Sequence, residues 1–126
     1  MKHTILIVDD DNLILNTLQK RFDNWEMDVH ASKTPEEAKG ILETVTPEIV
    51  LLDLLLTRED GSTGIMDYMK SQPRLEHVPV IILTNLDKPE LRDLMLKQGV
   101  KEYFIKGSMS LDDLYNKVVA YLEPKK

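Results

Sequence analysis

Four places in the chain put reactive side chains directly after short apolar runs. Asp9-Asp10-Asp11 follows Ile5-Leu6-Ile7-Val8, and Asp53 follows Ile49-Val50-Leu51-Leu52. Thr84 ends Val78-Pro79-Val80-Ile81-Ile82-Leu83, and Lys106 follows Tyr103-Phe104-Ile105. Carboxylates, a hydroxyl and an ammonium so placed make the parts of a cation-and-phosphate site. Carboxylates with room for water suit Mg2+, a hard ion that takes oxygen ligands. Phosphoryl transfer is mostly positioning and charge neutralisation, with a metal ion and a lysine sharing the phosphoryl oxygens. A carboxylate can itself be the nucleophile and become an aspartyl phosphate. Asp53 is the candidate nucleophile, because it stands alone, precedes three leucines and begins no obvious helix. One of Asp10, Asp11 and Asn12 is expected to cap the next helix. A cap does not need three acids in a row, since adjacent like charges repel and raise each other's pKa. The chain has neither G-x-x-x-x-G-K-[ST] nor G-x-G-x-x-G, so a nucleotide cradle is unsupported.

The elements that must hold these groups alternate. Ile5–Val8 reads as a strand, and Leu13, Ile14, Leu18 and Phe22 as the apolar face of a helix. Met27-Asp28-Val29-His30-Ala31 alternates apolar and polar, as a half-buried edge strand does. Thr34-Pro35-Glu36-Glu37 is a helix start with Thr34 as N-cap and Glu37 closing a capping box. Ala38, Ile41, Leu42 and Val45 are that helix's stripe. After the strand Ile49–Leu52, a loop with Asp60-Gly61 and Gly64 leads to a helix bearing Ile65, Met66 and Met69. Leu91, Leu94 and Met95 mark a further helix, closed at Gly99 where a left-handed residue is wanted. Ser110-x-x-Asp113 caps a last helix carrying Leu111, Leu114, Val118 and Leu122. Five strands alternating with five helices imply βαβ units and a parallel sheet, with the wholly apolar strands central and covered on both faces. A doubly wound open α/β sheet is the leading architecture, and its ligands bind beyond the carboxyl ends of the strands. All four reactive positions lie there.

The 126 residues are expected to form one domain, without an output domain. There is no Cys, which excludes a disulfide scaffold, a thiolate metal site and a cysteine nucleophile. A net charge of −6 argues against nucleic acid or a membrane surface as the main partner. No apolar run approaches the roughly 18 residues of a membrane span, and the first residues do not read as a signal peptide. A cytoplasmic protein is expected.

Taken in order, these segments resemble the response-regulator receiver domain of two-component signalling. The acidic run after strand one, the stretch Asp53-Leu54-Leu55-Leu56-Thr57-Arg58-Glu59-Asp60-Gly61, the strand ending in Thr84, and Gly99-Val100-Lys101-Glu102-Tyr103-Phe104-Ile105-Lys106 each match a family motif. The resemblance implies a sheet in the order 2-1-3-4-5, a flavodoxin-like arrangement. It implies Asp53 as phosphoacceptor, with Thr84 and Lys106 each meeting a phosphoryl oxygen. It implies Mg2+ held by Asp10, by Asp9 largely through water, by Asp53 and by the Leu55 carbonyl. Thr84 and Tyr103 would form the switch. The implied partners are a sensor histidine kinase or phosphotransfer protein, and a downstream protein met through helix 4, strand 5 and helix 5. On this reading the chain is a regulatory phosphoacceptor rather than an enzyme acting on other molecules.

The sequence departs from the family pattern in places. Gly107 stands where the family usually has Pro after the Lys, Asn85 where it has a small residue after the Thr, and Thr57 where Pro is common. Leu55 and Leu86, two residues beyond Asp53 and Thr84, flank the family's path for attacking water and cannot orient one. Two other functions compete. Asp9-x-Asp11 after a strand resembles the nucleophile motif of haloacid dehalogenase phosphatases, but leaves Asp53 without a role. A pseudo-receiver that never phosphorylates would serve as an interaction module, against which the complete acid, Thr and Lys set argues.

Overall fold

The computed structural model describes residues 3–24, 27–54 and 61–122. The elements run β1 (His3–Val8), α1 (Asn12–Asn24), β2 (Met27–Ser32), α2 (Pro35–Thr44), β3 (Ile49–Leu52) and α3 (Gly61–Lys70). They continue β4 (Val80–Thr84), α4 (Pro89–Lys97), β5 (Glu102–Ile105) and α5 (Leu111–Leu122). The five strands are parallel in the order β2-β1-β3-β4-β5. This is the expected doubly wound α/β sheet, with the alternating strand β2 at an edge.

Successive strand residues point to opposite faces, so each apolar strand feeds two cores. Leu6, Val8, Val50, Leu52 and Ile82 face Ala38 and Leu42 of α2, Ile65, Met66 and Met69 of α3, and Met95 of α4. Ile5, Ile7, Ile49, Leu51 and Ile81 face Leu15, Leu18 and Phe22 of α1 and Leu114, Val118 and Leu122 of α5. Truncating one such buried Leu or Ile to Ala costs roughly 2–5 kcal/mol. Position along each strand is thereby fixed, and so is where its last residue falls.

Local signals set the helix ends. The Glu37 amide donates to Thr34 Oγ1 at 3.1 Å, while the Glu37 carboxylate accepts from the Lys33 amide at 2.8 Å, one residue before the N-cap. The Asp113 amide donates to Ser110 Oγ at 3.0 Å. Gly99 has φ 109°, the left-handed conformation expected after α4. The α2 carboxyl end is capped from a distance, by Arg74, whose guanidinium donates to the Leu42 carbonyl and, at 2.8 Å, to Thr46 Oγ1.

Three expectations need correction. Leu13 is 72% exposed, and Leu15 takes its place on the buried face of α1. With the helix beginning at Asn12, positions 15, 18 and 22 complete the turn that meets the sheet. Leu94 is 48% exposed for the same reason, with only its neighbour Met95 buried. The stretch from Gly61 to Gly64 is not loop but the first turn of α3, whose packing through Ile65, Met66 and Met69 overrides the glycines' low propensity.

Candidate functional site

The strand order reverses between β1 and β3, the point at which open α/β sheets bind their ligands beyond the carboxyl ends of the strands. Val8 and Leu52 are register partners, so Asp9 and Asp53 leave the sheet side by side. Both are held by the backbone: the Asp53 amide donates to the Val8 carbonyl and the Asp9 amide to the Ser32 carbonyl, each at 3.0 Å. Asp9 and Asp53 are 2% and 1% exposed, whereas Asp10 is exposed. One carboxylate oxygen from each of the three lies within 4.8 Å of the others. Among the described residues this is the sole cluster of its kind.

Asp11 has the ordinary job. Its Oδ1 accepts from the Leu13 amide at 2.9 Å, capping α1. That occupies the second acid of the dehalogenase-like Asp9-x-Asp11 pattern. The Asp11 amide in turn donates to Asp9 Oδ1 at 2.9 Å.

Lys106 follows Ile105, the register partner of Thr84, and reaches back across the sheet edge. Its Nζ lies 2.7 Å from Asp9 Oδ2 and 3.0 Å from Asp53 Oδ2. Burial pulls this ammonium's pKa down, but its hydrogen bonds and charge attraction to the two carboxylates more than offset that and leave it raised. Burial pushes the Asp9 carboxyl above its ordinary range, helped by the Asp53 charge, although Lys106 and the Asp11 amide pull it down.

Thr84 is fully buried, and its Oγ1 accepts from the Leu86 amide at 3.3 Å. The Tyr103 hydroxyl donates to the Leu86 carbonyl at 2.6 Å. Burial raises the Tyr103 pKa, and the charges of Asp87 and Asp53 add to the rise. Leu86 therefore joins Thr84 to Tyr103 through its backbone. Reading the sequence misses this link, because a peptide group's partners leave no side-chain signal.

Asp9, Asp10, Asp53, Thr84, Lys106 and Tyr103 are thus brought to one edge of the sheet. Leu55 and Thr57 lie outside the described residues. No cis peptide bond occurs among the described residues, so Lys106-Gly107 is trans and opens a short 3-10 turn through Ser108. Asn85 is exposed. The arrangement offers hard oxygen donors that could hold a divalent cation, and a buried carboxylate with a cation 3.0 Å from it.

The sequence pattern of the response regulator receiver domain matches residues 5–119. The chain belongs to the response-regulator receiver family. This receiver domain is 28% identical over 102 residues to the response regulator protein GraR of Staphylococcus epidermidis, an alignment covering 81% of this chain and 44% of that protein. The chain thus spans less than half the length of the curated relatives it matches. The receiver domain of the Francisella response regulator 1452 superposes with TM-score 0.82 at 26% identity, covering 95% of this chain and 96% of that one. The BeF3-activated N-terminal receiver domain of Klebsiella pneumoniae RstA does so with TM-score 0.84 at 25% identity, covering 97% and 100%. The function class is that of a regulatory domain in two-component signalling. Among the described residues no helix is long and apolar enough to cross a membrane.

Proposed function

We propose that this receiver domain is a phosphorylation-activated switch with Asp53 as its phosphoacceptor. The observation that carries the reading is the convergence on Asp53 of Lys106, the Asp9 and Asp10 carboxylates, and, at the end of the adjacent strand, the hydroxyl of Thr84. A phosphoryl group would pass from the imidazole nitrogen of a histidine kinase or phosphotransfer protein to an Asp53 oxygen, the P–N bond breaking as the P–O bond forms. Asp53 is fixed by its backbone at the strand end and needs no general base, being a carboxylate. Lys106 would pair with one phosphoryl oxygen and Thr84 would donate its hydroxyl to another.

The donor set fits Mg2+: only oxygens, two of the carboxylates buried and one open to water. Asp10 and Asp53 would hold the ion directly. Asp9 would act largely through water, since Asp11 and Lys106 engage its two oxygens. Bound there, Mg2+ supplies neutralisation of phosphoryl charge. Output would pass through the face made by α4, β5 and α5, where a cleft of about 340 Å3 is lined by Asp87, Arg92, Tyr103 and Ser108 among others.

The test is incubation with Mg2+ and acetyl phosphate followed by intact mass. The wild type gains one phosphoryl group and Asp53→Asn gains none. Normal labelling of that variant, with the adduct at Asp9 or Asp11, overturns the assignment.

A further inference from the structure

Five methionines lie among the described residues, and four of them are sealed. Met27, Met66, Met69 and Met95 are each 3% exposed, whereas Met109 is half-buried. Met109 joins the 3-10 turn that begins at Lys106 to Ser110, whose hydroxyl caps α5. Gly107, Ser108 and Ser110 are exposed, so the Met109 side chain is the apolar anchor of that loop. It packs on the core between the sheet and helices α1 and α5. It also lines two clefts: the one of about 340 Å3 beside Tyr103 and Arg92, and another of about 330 Å3 beside Leu13, Leu83, Leu114 and Lys106. A small oxidant in either cleft meets this side chain.

We propose that Met109 is a site of reversible oxidation by peroxides and that its sulfoxide slows phosphorylation of Asp53. The slowing rests on the phosphoacceptor reading above; the oxidation does not. The thioether sulfur attacks one peroxide oxygen, so that an S–O bond forms, the O–O bond breaks and the second oxygen leaves as water. The sulfur loses two electrons and the peroxide gains them. The product is polar and chiral where the loop had a flexible apolar side chain. A sulfoxide oxygen pressed against the α1 and α5 core lacks a hydrogen-bond donor, so the side chain leaves that core. The loop then loses its anchor, and with it the fixed turn that aims Lys106 at Asp53. A peroxide must touch the sulfur, so the four sealed methionines react only when the fold opens.

The experiment is brief treatment with hydrogen peroxide, its removal, and then tryptic mass mapping alongside labelling with Mg2+ and acetyl phosphate. The peptide 107–117, whose sole methionine is Met109, should gain one oxygen before the peptides carrying Met27, Met66, Met69 or Met95. The oxidised protein should label about tenfold more slowly, within the hundredfold that an ångström-scale misplacement can cost. A methionine sulfoxide reductase with a dithiol should restore the rate. Met109→Leu keeps an apolar anchor without the sulfur, so the same treatment should leave its labelling rate unchanged. Earlier oxidation of the sealed methionines, an unslowed oxidised protein, or equal slowing of Met109→Leu overturns the proposal. If the Leu variant does not fold, the reductase decides in its place: recovery supports the proposal and no recovery overturns it. If the untreated protein takes no phosphoryl group, the phosphoacceptor reading falls and the Lys106 amide resonance decides. A shift of that resonance on oxidation supports release of the loop, and an unmoved resonance overturns it.

Discussion

The Tyr103 hydroxyl is bonded to the carbonyl of Leu86, whose amide is bonded to the buried hydroxyl of Thr84. One residue thus has one end at the site and the other on the aromatic ring beside α4. A phosphoryl group that draws the Thr84 hydroxyl toward itself takes an acceptor away from the Leu86 amide. A ligand shifts a two-state element only through such differential contacts. Tyr103→Phe should cost about 0.5–1.5 kcal/mol in urea unfolding, the net worth of one hydrogen bond. Thr84→Ala should abolish the phosphorylation-dependent amide shifts around Tyr103 while leaving those at Asp10. If those shifts persist in Thr84→Ala, Leu86 is not the link.

Mg2+ should stabilise the fold through Asp10. A ligand that binds only the native state adds RT ln(1 + [L]/Kd), roughly 1.4 kcal/mol at ten times Kd. For a domain of this size that raises Tm by roughly 4–7 °C. Asp10→Ala should lose the shift, and because Asp10 is exposed beside two buried acids its removal should not lower the metal-free Tm. A full Mg2+ shift in that variant would place the metal elsewhere.

The α/β alternation, the edge position of β2 and the caps at Thr34, Gly99 and Ser110 were all legible, because period, apolar runs and capping chemistry are local properties. So was the gathering of Asp9, Asp53, Thr84 and Lys106 at one edge, since each ends a strand of a parallel sheet. Leu13 and Leu15 were confused because both are apolar and only the starting residue of α1 decides which faces inward. The double reach of Lys106 to Asp9 and Asp53 could not be read, since strand order and side-chain length settle it jointly. The Arg74 cap on α2 is a contact across 32 residues with no local signature.

Alkaline stability should carry the mark of Tyr121 and Lys106. The Tyr121 hydroxyl donates to Glu102 at 2.7 Å, and burial first, then this bond and the Glu102 charge, push its pKa up from 10.0 to about 12. Lys106 is raised above 10.5. A group whose folded pKa lies above its unfolded value stabilises fully below the unfolded value and loses that contribution as pH rises through the folded one. Stability from these groups should therefore hold up to about pH 10 and fall from there toward 12. Phenolate absorbance should show one of the four tyrosines titrating near 12, and Tyr121→Phe should remove that step. Loss of a different step would contradict the assignment.

Two glycines should respond to Ala with opposite signs. Gly40 is exposed inside α2, and a Cβ there would meet nothing within 4 Å. Gly40→Ala should stabilise by about 0.5–1 kcal/mol in urea unfolding. Gly99 also has open space around it, but its φ of 109° is a conformation L side chains rarely adopt. Gly99→Ala should destabilise by about 1–2 kcal/mol. Equal effects at the two sites would mean that space, not backbone conformation, governs them.

The phosphorylated state should be long-lived. Hydrolysis of an aspartyl phosphate needs little beyond a correctly placed water. Two residues past Thr84 stands Leu86, which is half-buried against the core on the α2, α3 and α4 face and whose side chain can neither donate nor accept. Its backbone amide is already engaged with Thr84. Nothing in that side chain can orient a water, and its backbone amide is not free to do so. Labelled protein freed of its donor and followed by phosphate-affinity gel should therefore persist for minutes or longer. Leu86→Glu supplies a group that can position water and should shorten the lifetime, whereas Leu86→Ala separates that effect from the loss of packing. Decay of the parent within seconds, or a Glu variant that decays no faster than the Ala variant, would refute the role given to Leu86.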